Sequence, residues 1–280
     1  MTFSIAAADP EAGEVGVATQ SKFLAVGAVV PWAQAEVGAV ATQSFADLTF
    51  GPRGLELLAA GLAPQEVLDH LLAPDERRDD RQVGLVDAGG RAASWTGPGC
   101  FEHASSVVGD GYACQGNILA SDRVVPAMAE AFEAAQGPLP ERLVAALHGA
   151  QREGGDRRGQ EAAAIVVAKP GGGYGGNNDR YVDLRVDHHD QPIEELGRLL
   201  SMHRLYFGRP AESDLITADA ALEDEIREML TALGKLPPDR ELWDALSDYM
   251  DWENLEERWA GPGRIDHRVL EYLRGHVVRS

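Results

Sequence analysis

The sequence predicts an α+β protein in which two mainly antiparallel β-sheets lie between layers of helices, followed by a small all-α module. Three observations predict this class. Short β-like runs are joined by turns rich in Gly, Pro and Asp, which is typical of β-hairpins. Pairs of amphipathic helices interrupt these runs and can cover both outer faces of the sheets. After about residue 210, the apolar residues recur only at helical spacing.

Four β-like runs occupy the first 44 residues. Residues 9–13 have the composition of a turn, because Pro favours an early turn position and Gly a left-handed one. This turn separates Phe3–Ala8 from Val15–Ser21 and predicts an opening hairpin. Two further runs, around Ala25–Ala33 and Val37–Ser44, predict the third and fourth strands.

Helices and hairpins alternate between residues 51 and 206. Apolar residues at three- to four-residue spacing predict helices over about 51–61, 63–72, 122–135, 140–151 and 192–206. Hairpins are predicted near residues 82–96, 107–115 and 163–186. The glycine-rich run 170–178 is followed by neither a helix nor a GKS/T motif, so it favours a hairpin loop over a phosphate-binding loop.

The chain is predicted to divide into residues 1–210 and a helical module of residues 211–280. Three apolar faces at helical spacing predict three helices in this module. Its residues Trp243, Trp252 and Trp259 have a spacing that favours packing in the helical core, although aromatic rings can also stack on sugars.

The composition narrows the classes of partner. The chain has 45 acidic and 25 basic residues and a formal net charge of −20, so nucleic acids and anionic membranes are poor partners. No window approaches 18 apolar residues, and no secretory signal is apparent, so we expect a cytoplasmic protein. Two cysteines do not form the disulfide framework of a small secreted protein, and pairing of Cys100 with Cys114 stays open.

Thr2 is the first candidate for catalysis. Thr2 is small enough for Met1 to be removed readily, and the mature chain would then carry a hydroxyl and a free α-amine on one residue. An α-amine has an ordinary pKa of about 7.7–8.0 and can accept the hydroxyl proton near neutral pH. Thr2 is therefore a candidate nucleophile that carries its own base. The alternative is a start codon followed by an ordinary strand.

Other polar residues are predicted to lie near Thr2. Ser4 faces the same side of the first strand and is expected to position Thr2, because side chains alternate along a strand. Ser21 ends the second strand, beside the start of the first, and is a candidate substrate-binding residue. Gln43 and Ser44 end the fourth strand, where they can either contact a substrate or satisfy backbone groups at the strand end.

Two further groups lie in later loops. Asn117 follows a strand and a glycine, which suits either an oxyanion donor or a turn. Asp156, Arg158 and Gln160 occupy a polar loop flanked by glycines. Arg158 can bind a substrate carboxylate through two hydrogen bonds, or the group can form a structural ion pair.

We expect neither a metal nor any other cofactor. The run His188-His189-Asp190 lacks the ligand spacing of a single metal site. Cys100 has His103 three residues further on, but a buried structural thiol is the favoured interpretation for this cysteine.

Several sequence blocks taken together resemble the DUF1028 family, a bacterial and archaeal family of unknown function. The resemblance covers about residues 1–208. The blocks that carry it are TFSI at 2–5, GVATQS at 16–21, ATQSF at 41–45, GPRGL at 51–55, RQVG at 81–84, TG at 96–97, QGN at 115–117, GGDRRGQ at 154–160 and VDLRVD at 182–187. In the tail, residues 252–259 and 265–270 are similar to a module named as peptidoglycan-binding.

The resemblance implies a fold and an activity. The family is grouped with the N-terminal nucleophile hydrolases, which share a four-layer αββα sandwich and hydrolyse amide bonds with an N-terminal Thr, Ser or Cys. For this chain it implies a hydrolase that cleaves an amide bond in a small peptide-like or acyl-amino substrate with Thr2. The alternative is a non-catalytic binding protein that recognises peptidoglycan-type fragments through its tail. We expect a homo-oligomer, in which the tail can also pack on a neighbouring subunit.

Overall fold

The computed structural model describes residues 2–279, so Met1, whose removal we expect from the sequence, lies outside the described residues. The chain forms two compact units. The first ends at Leu200 and the second begins at Ser201. Among the described helices, none is both long enough and apolar enough to cross a bilayer.

The first unit contains a six-stranded sheet in which all neighbouring strands are antiparallel. Its strand order is β10-β9-β2-β1-β8-β7. Its strands are β1 (Thr2–Asp9), β2 (Glu14–Ser21), β7 (Ser105–Gly109), β8 (Tyr112–Asn117), β9 (Ala162–Ala168) and β10 (Arg180–Val186). The first strand therefore lies inside the sheet, with β2 on one side and β8 on the other.

A second sheet of four antiparallel strands has the order β3-β4-β5-β6. Its strands are β3 (Pro31–Gln34), β4 (Gly38–Ser44), β5 (Arg81–Asp87) and β6 (Ala92–Thr96). The helices of the unit are α1 (Phe50–Ala59), α2 (Pro64–Leu72), α3 (Val124–Ala134), α4 (Leu139–Arg152) and the first part of α5 (Pro192–Phe207).

Alternation along β1 decides which side chains face the second sheet. Phe3 and Ile5 belong to an apolar core that also contains residues of α3, α4 and α5. Ala6 and Ala8 point to the opposite side and pack with Ala39 and other small residues of the second sheet. Residues of α1 and α2 pack on the remaining face of that sheet. The even-numbered residues of β1 therefore lie between the two sheets.

The third predicted strand is wrong in its first half. Val26–Ala28 form a 3₁₀ turn, and β3 begins only at Pro31. Ala25 has a φ of 52°, which breaks an extended run. Val26 and Val30 are nevertheless buried, which explains why this turn has the apolar composition of a strand.

The second unit contains α6 (Ala220–Ala232), α7 (Leu242–Trp252) and α8 (His267–Arg279), in agreement with the three predicted helices. The prediction of an all-α module is wrong, because β11 (Leu215–Thr217) pairs with β12 (Arg264–Asp266). Three residues are too few to show the alternation by which a strand is recognised.

The three tryptophans of the tail have different environments. Trp243 and Trp259 are half-buried against the helical core, as their spacing predicts. Core packing is wrong for Trp252, which is 73% exposed and has Lys235 Nζ 4.2 Å from its ring centroid.

Candidate active site

Thr2 lies at the start of β1, between the ends of two neighbouring strands. It is paired with Asn117 of β8, and its hydroxyl donates a hydrogen bond to Ser21 Oγ at 3.1 Å, at the end of β2. The Ser21 hydroxyl also accepts a hydrogen bond from the Phe23 amide at 3.0 Å. Thr2 is only 4% exposed and Ser21 is fully buried. The Thr2 hydroxyl therefore has a defined orientation.

A buried network of polar side chains holds the backbone of Thr2 from the second sheet. Gln43 Nε2 donates to the Thr2 carbonyl at 3.2 Å and to Gln82 Oε1 at 2.8 Å. Ser4 Oγ donates to Gln43 Oε1 at 2.6 Å and accepts from Gln115 Nε2 at 2.7 Å. These bonded groups restrain one another, because each loses a partner if it moves. Gln115 Oε1 is buried and has no hydrogen-bond partner among the described residues.

Gln82, on β5 of the second sheet, forms hydrogen bonds both within its own sheet and to β8 of the first sheet. Gln82 Nε2 donates to Thr96 Oγ1 at 2.9 Å and to the Gly116 carbonyl at 2.8 Å. Its Oε1 accepts a hydrogen bond from Asn117 Nδ2 at 2.8 Å. One amide N–H of Asn117 is therefore used within the network. Asn117 is 1% exposed and lies directly across from Thr2.

The Gln115 side chain has room in this network only because residue 84 is a glycine. A Cβ atom on Gly84 would lie 1.8 Å from Gln115 Oε1, far inside van der Waals contact. Gly84 is on β5, opposite Gln115 on β8 in the space between the sheets. This glycine is required for close approach and not for its backbone angles.

The predicted loop group lies at the end of β2. Asp156 Oδ2 accepts from the Lys22 amide at 3.0 Å, and Asp156 Oδ1 accepts from the Arg158 amide at 2.9 Å. Arg158 Nη2 is 3.0 Å from Asp156 Oδ2, so the structural ion pair considered from the sequence is present. Gln160 contributes its carbonyl oxygen, which accepts from Lys22 Nζ at 3.0 Å. Lys22 also forms an ion pair with Glu161 at 2.8 Å.

Ser44 and Cys100 lie next to each other at the same end of the sheets. Ser44 has a φ of 70°, and its hydroxyl is 3.5 Å from Cys100 Sγ. Burial raises the pKa of the Cys100 thiol, which disfavours the thiolate that a nucleophilic cysteine needs. Cys100 and Cys114 are both free thiols.

Comparisons with known proteins agree with this architecture. The family model described as "Family of unknown function (DUF1028)" matches residues 2–196. The chain belongs to the DUF1028 family. A second family model, described as "Putative peptidoglycan binding domain", matches residues 206–273. Both resemblances noted in the sequence are thereby confirmed.

A crystal structure from the DUF1028 family is similar to this chain. It is that of protein SPO2555 from Silicibacter pomeroyi, which is 33% identical in sequence. The match covers 72% of this chain and 89% of that chain, with a TM-score of 0.65. No curated protein matches the chain significantly.

All residues of the network around Thr2 lie within the DUF1028 match. Gln82 and Gln115 belong to the blocks that carry the resemblance, but nothing in the sequence pattern places them at the site. Their signal is a glutamine on a strand face that is otherwise occupied by small residues. This signal identifies the face but not the partner, because Gln82 bonds to Asn117, 35 positions away, and Gln115 bonds to Ser4, 111 positions away.

Proposed function

We propose that this protein is an amidohydrolase in which Thr2, made N-terminal by removal of Met1, is the nucleophile. The observation that carries the proposal is the placement of Thr2. Its hydroxyl is oriented by Ser21 at 3.1 Å and its carbonyl is held by Gln43 at 3.2 Å. A residue that only begins a strand needs backbone pairing with its neighbour strands. Thr2 has, in addition, side-chain hydrogen bonds with two other strands that hold both its hydroxyl and its carbonyl. The stacking of the two sheets with their helices supports the finer assignment to the four-layer αββα sandwich of N-terminal nucleophile hydrolases.

The proposed reaction uses the α-amine of Thr2 as base. The Thr2 hydroxyl turns its proton from Ser21 Oγ to this amine, which accepts the proton while Thr2 Oγ forms a bond to the amide carbonyl carbon of the substrate. The negative charge on the former carbonyl oxygen is stabilised by hydrogen-bond donors, for which Asn117 Nδ2 is our candidate. The ammonium group then returns the proton to the leaving amine, and the C–N bond breaks. Water, deprotonated by the same amine, hydrolyses the ester on Thr2 and restores the hydroxyl.

The other candidate residues have supporting roles in this proposal. Ser4 and Gln43 are almost completely buried and position Thr2 without contacting a substrate. Asp156 fixes the loop that follows α4 against the end of β2. Arg158, Gln160 and Ser44 lie at the periphery, where a substrate can reach them.

The proposal is tested by controlling the first residue of the protein. The chain is fused behind a cleavable domain so that proteolysis releases either Thr2 or Met1 as the first residue. We expect hydrolysis of small acyl-amides only by the form that begins with Thr2. Thr2→Ala, released in the same way, is the matched control and should be inactive, whereas Thr2→Ser should retain activity. Equal activity of the Met1 and Thr2 forms would exclude the amine as base.

A second candidate function concerns the tail. We infer from the family match over residues 206–273 and from the exposure of Trp252 that this unit binds peptidoglycan-type fragments. Soluble muropeptides titrated into the full chain should bind, and Trp252→Ala should weaken binding. Ile216→Ala, a change at another exposed apolar residue of the unit, serves as control. Equal binding by both variants would count against Trp252 as the contact.

A further inference from the structure

Exposed apolar side chains of the first unit are concentrated at the end of the sheets where Thr2 lies. Five of them follow strands that end there or lie in the loop after β6, and we call these five the apolar rim. The rim consists of Phe23, Leu24, Phe45, Leu48 and Phe101, which are 44–61% exposed. Only Val108 and Tyr174 are comparable elsewhere in residues 2–200. Clustered exposed apolar groups indicate a binding surface.

The rim surrounds Thr2 on more than one side. The Phe23 amide donates to Ser21 Oγ, the same atom that accepts the Thr2 hydrogen bond. On the other side, the rings of Phe45 and Phe101 have their centroids 6.1 Å apart. The Phe101 carbonyl accepts a hydrogen bond from the amide of Ile118, the residue after Asn117.

An open surface cavity of about 430 Å³ lies beside Phe101 of the rim, next to the end of β8. It is lined by Phe101, Glu102, Ile118, Arg157 and Arg158. Asn117 is paired with Thr2, and Ile118 is one residue further along the chain. The Cα atoms of Ile118 and Thr2 are therefore within about 9 Å of each other. A ligand in this cavity is close enough to present an adjoining bond to Thr2.

The charges of the cavity distinguish Arg157 from its neighbour. Arg158 is paired with Asp156, and their closest atoms are 3.0 Å apart. The Arg157 guanidinium is exposed and has neither an ion-pair nor a hydrogen-bond partner among the described side chains. The Arg157 backbone is held in place, because its amide donates to the Ile118 carbonyl. Arg157 is therefore the group of the cavity that can pair with an anionic ligand, and Glu102 on the same lining sets how much negative charge that ligand can carry. A guanidinium binds a carboxylate with two parallel hydrogen bonds.

We propose that this cavity binds the amine half of the substrate as an apolar α-amino acid with a free carboxylate. Arg157 holds the carboxylate, and the apolar side chain lies against Phe101 and Ile118. Glu102 also lines the cavity and has no ion-pair partner among residues 2–279. Its carboxylate repels a second negative charge, so we expect acyl derivatives of Asp and Glu to bind more weakly. This inference rests on the proposed function and names its substrate class: an N-acylated apolar amino acid or a short peptide with such a C-terminus.

The test measures binding separately from turnover. N-acetyl-phenylalanine, its primary carboxamide and N-acetyl-glutamate are titrated calorimetrically into the full chain carrying Thr2→Ala. We expect N-acetyl-phenylalanine to bind about tenfold more tightly than the carboxamide, a preference typical of one charged hydrogen-bonded pair. Arg157→Ala should abolish this preference and leave carboxamide binding unchanged. Glu102→Gln should improve binding of N-acetyl-glutamate. Arg227→Ala, at an exposed arginine of the second unit, is the matched control.

The outcomes separate the two proposals. Binding that depends on Arg157, without hydrolysis by the form that begins with Thr2, supports the cavity assignment and overturns the proposed reaction. Hydrolysis that is unaffected by Arg157→Ala supports the reaction and overturns the assignment. Absence of binding by every ligand also overturns it. A second copy of the chain could instead cover Phe101, and light scattering tests this. A dimer that Phe101→Ser converts to a monomer would show that the rim is a subunit contact and would overturn the cavity assignment.

Discussion

The hydroxyl of Thr2 donates a hydrogen bond to the hydroxyl of Ser21 across 3.1 Å, in a place where both residues are almost completely buried. The two residues are 19 positions apart and meet because β1 and β2 form a hairpin. In the proposed reaction, Ser21 sets the direction from which the Thr2 oxygen attacks.

Ser21→Ala should therefore reduce kcat for amide hydrolysis about tenfold, because loss of one orienting hydrogen bond costs about 1–1.5 kcal/mol. The KM should change little, since Ser21 does not reach the substrate. Thr19→Val is the control, because Thr19 lies on the same strand as Ser21 and its hydroxyl donates to the Phe3 carbonyl on β1 instead of to Thr2. An equal loss of kcat in both variants would indicate a general effect on the sheet.

Gly84→Ala should destabilise the first unit by about 1–3 kcal/mol, because the added methyl group overlaps Gln115 Oε1. The free energy of unfolding in urea measures this loss. The double variant Gly84→Ala with Gln115→Ala should regain part of it, because the second change creates space for the methyl group. Additive losses in the double variant would contradict a direct clash.

Asp75→Asn should destabilise the protein by about 2 kcal/mol at pH 7, because Asp75 Oδ2 is 2.7 Å from Arg81 Nε in a largely buried ion pair. The Arg81 guanidinium also donates to the Phe45 carbonyl and so anchors the loop that carries part of the apolar rim. Loosening of this loop should appear as faster amide exchange around Phe45.

The effect of Asp75→Asn should depend on pH. The hydrogen bond from Arg81 lowers the pKa of Asp75 in the folded protein. The stabilisation is therefore complete above the unfolded carboxyl pKa of about 3.9 and is lost as pH falls through the lower folded-state pKa. The difference between wild type and variant in urea unfolding should be constant from pH 6 to 8 and should shrink below about pH 4. A difference that persists unchanged at pH 2 would contradict the ionic origin.

Asp266→Asn should destabilise the second unit by about 3–5 kcal/mol, because it leaves Arg258 buried without its carboxylate partner. Arg258 and Asp266 are both 1% exposed, and Arg258 also donates to the carbonyl oxygens of Leu205 and Arg204. Tryptophan fluorescence during thermal unfolding follows this unit through Trp243 and Trp259 once Trp32 and Trp95 of the first unit have been replaced by Phe in all the variants compared. Asp239→Asn, an exposed change in the same unit, should have no measurable effect.

The sequence by itself determined most of the secondary structure and the family. Hairpin turns and helical spacing are local signals, and they placed β1, β2, β4 and the helices close to where they lie. Local signals failed where an element is very short, as in β11 and β12, or where buried valines form a turn, as in residues 26–30. Thr2 was a candidate because its hydroxyl and its amine belong to one residue, so no tertiary contact was needed to connect them.

Only the tertiary structure decided what surrounds Thr2. The network joins Ser4 to Gln43 and Gln115, and Gln82 to Asn117, between strands from both sheets. Alternation along a strand shows which face a side chain takes, but the pairing of two sheets decides which side chain it meets. The same holds for Arg157, which differs from Arg158 only because Asp156 is positioned to pair with one arginine and not the other.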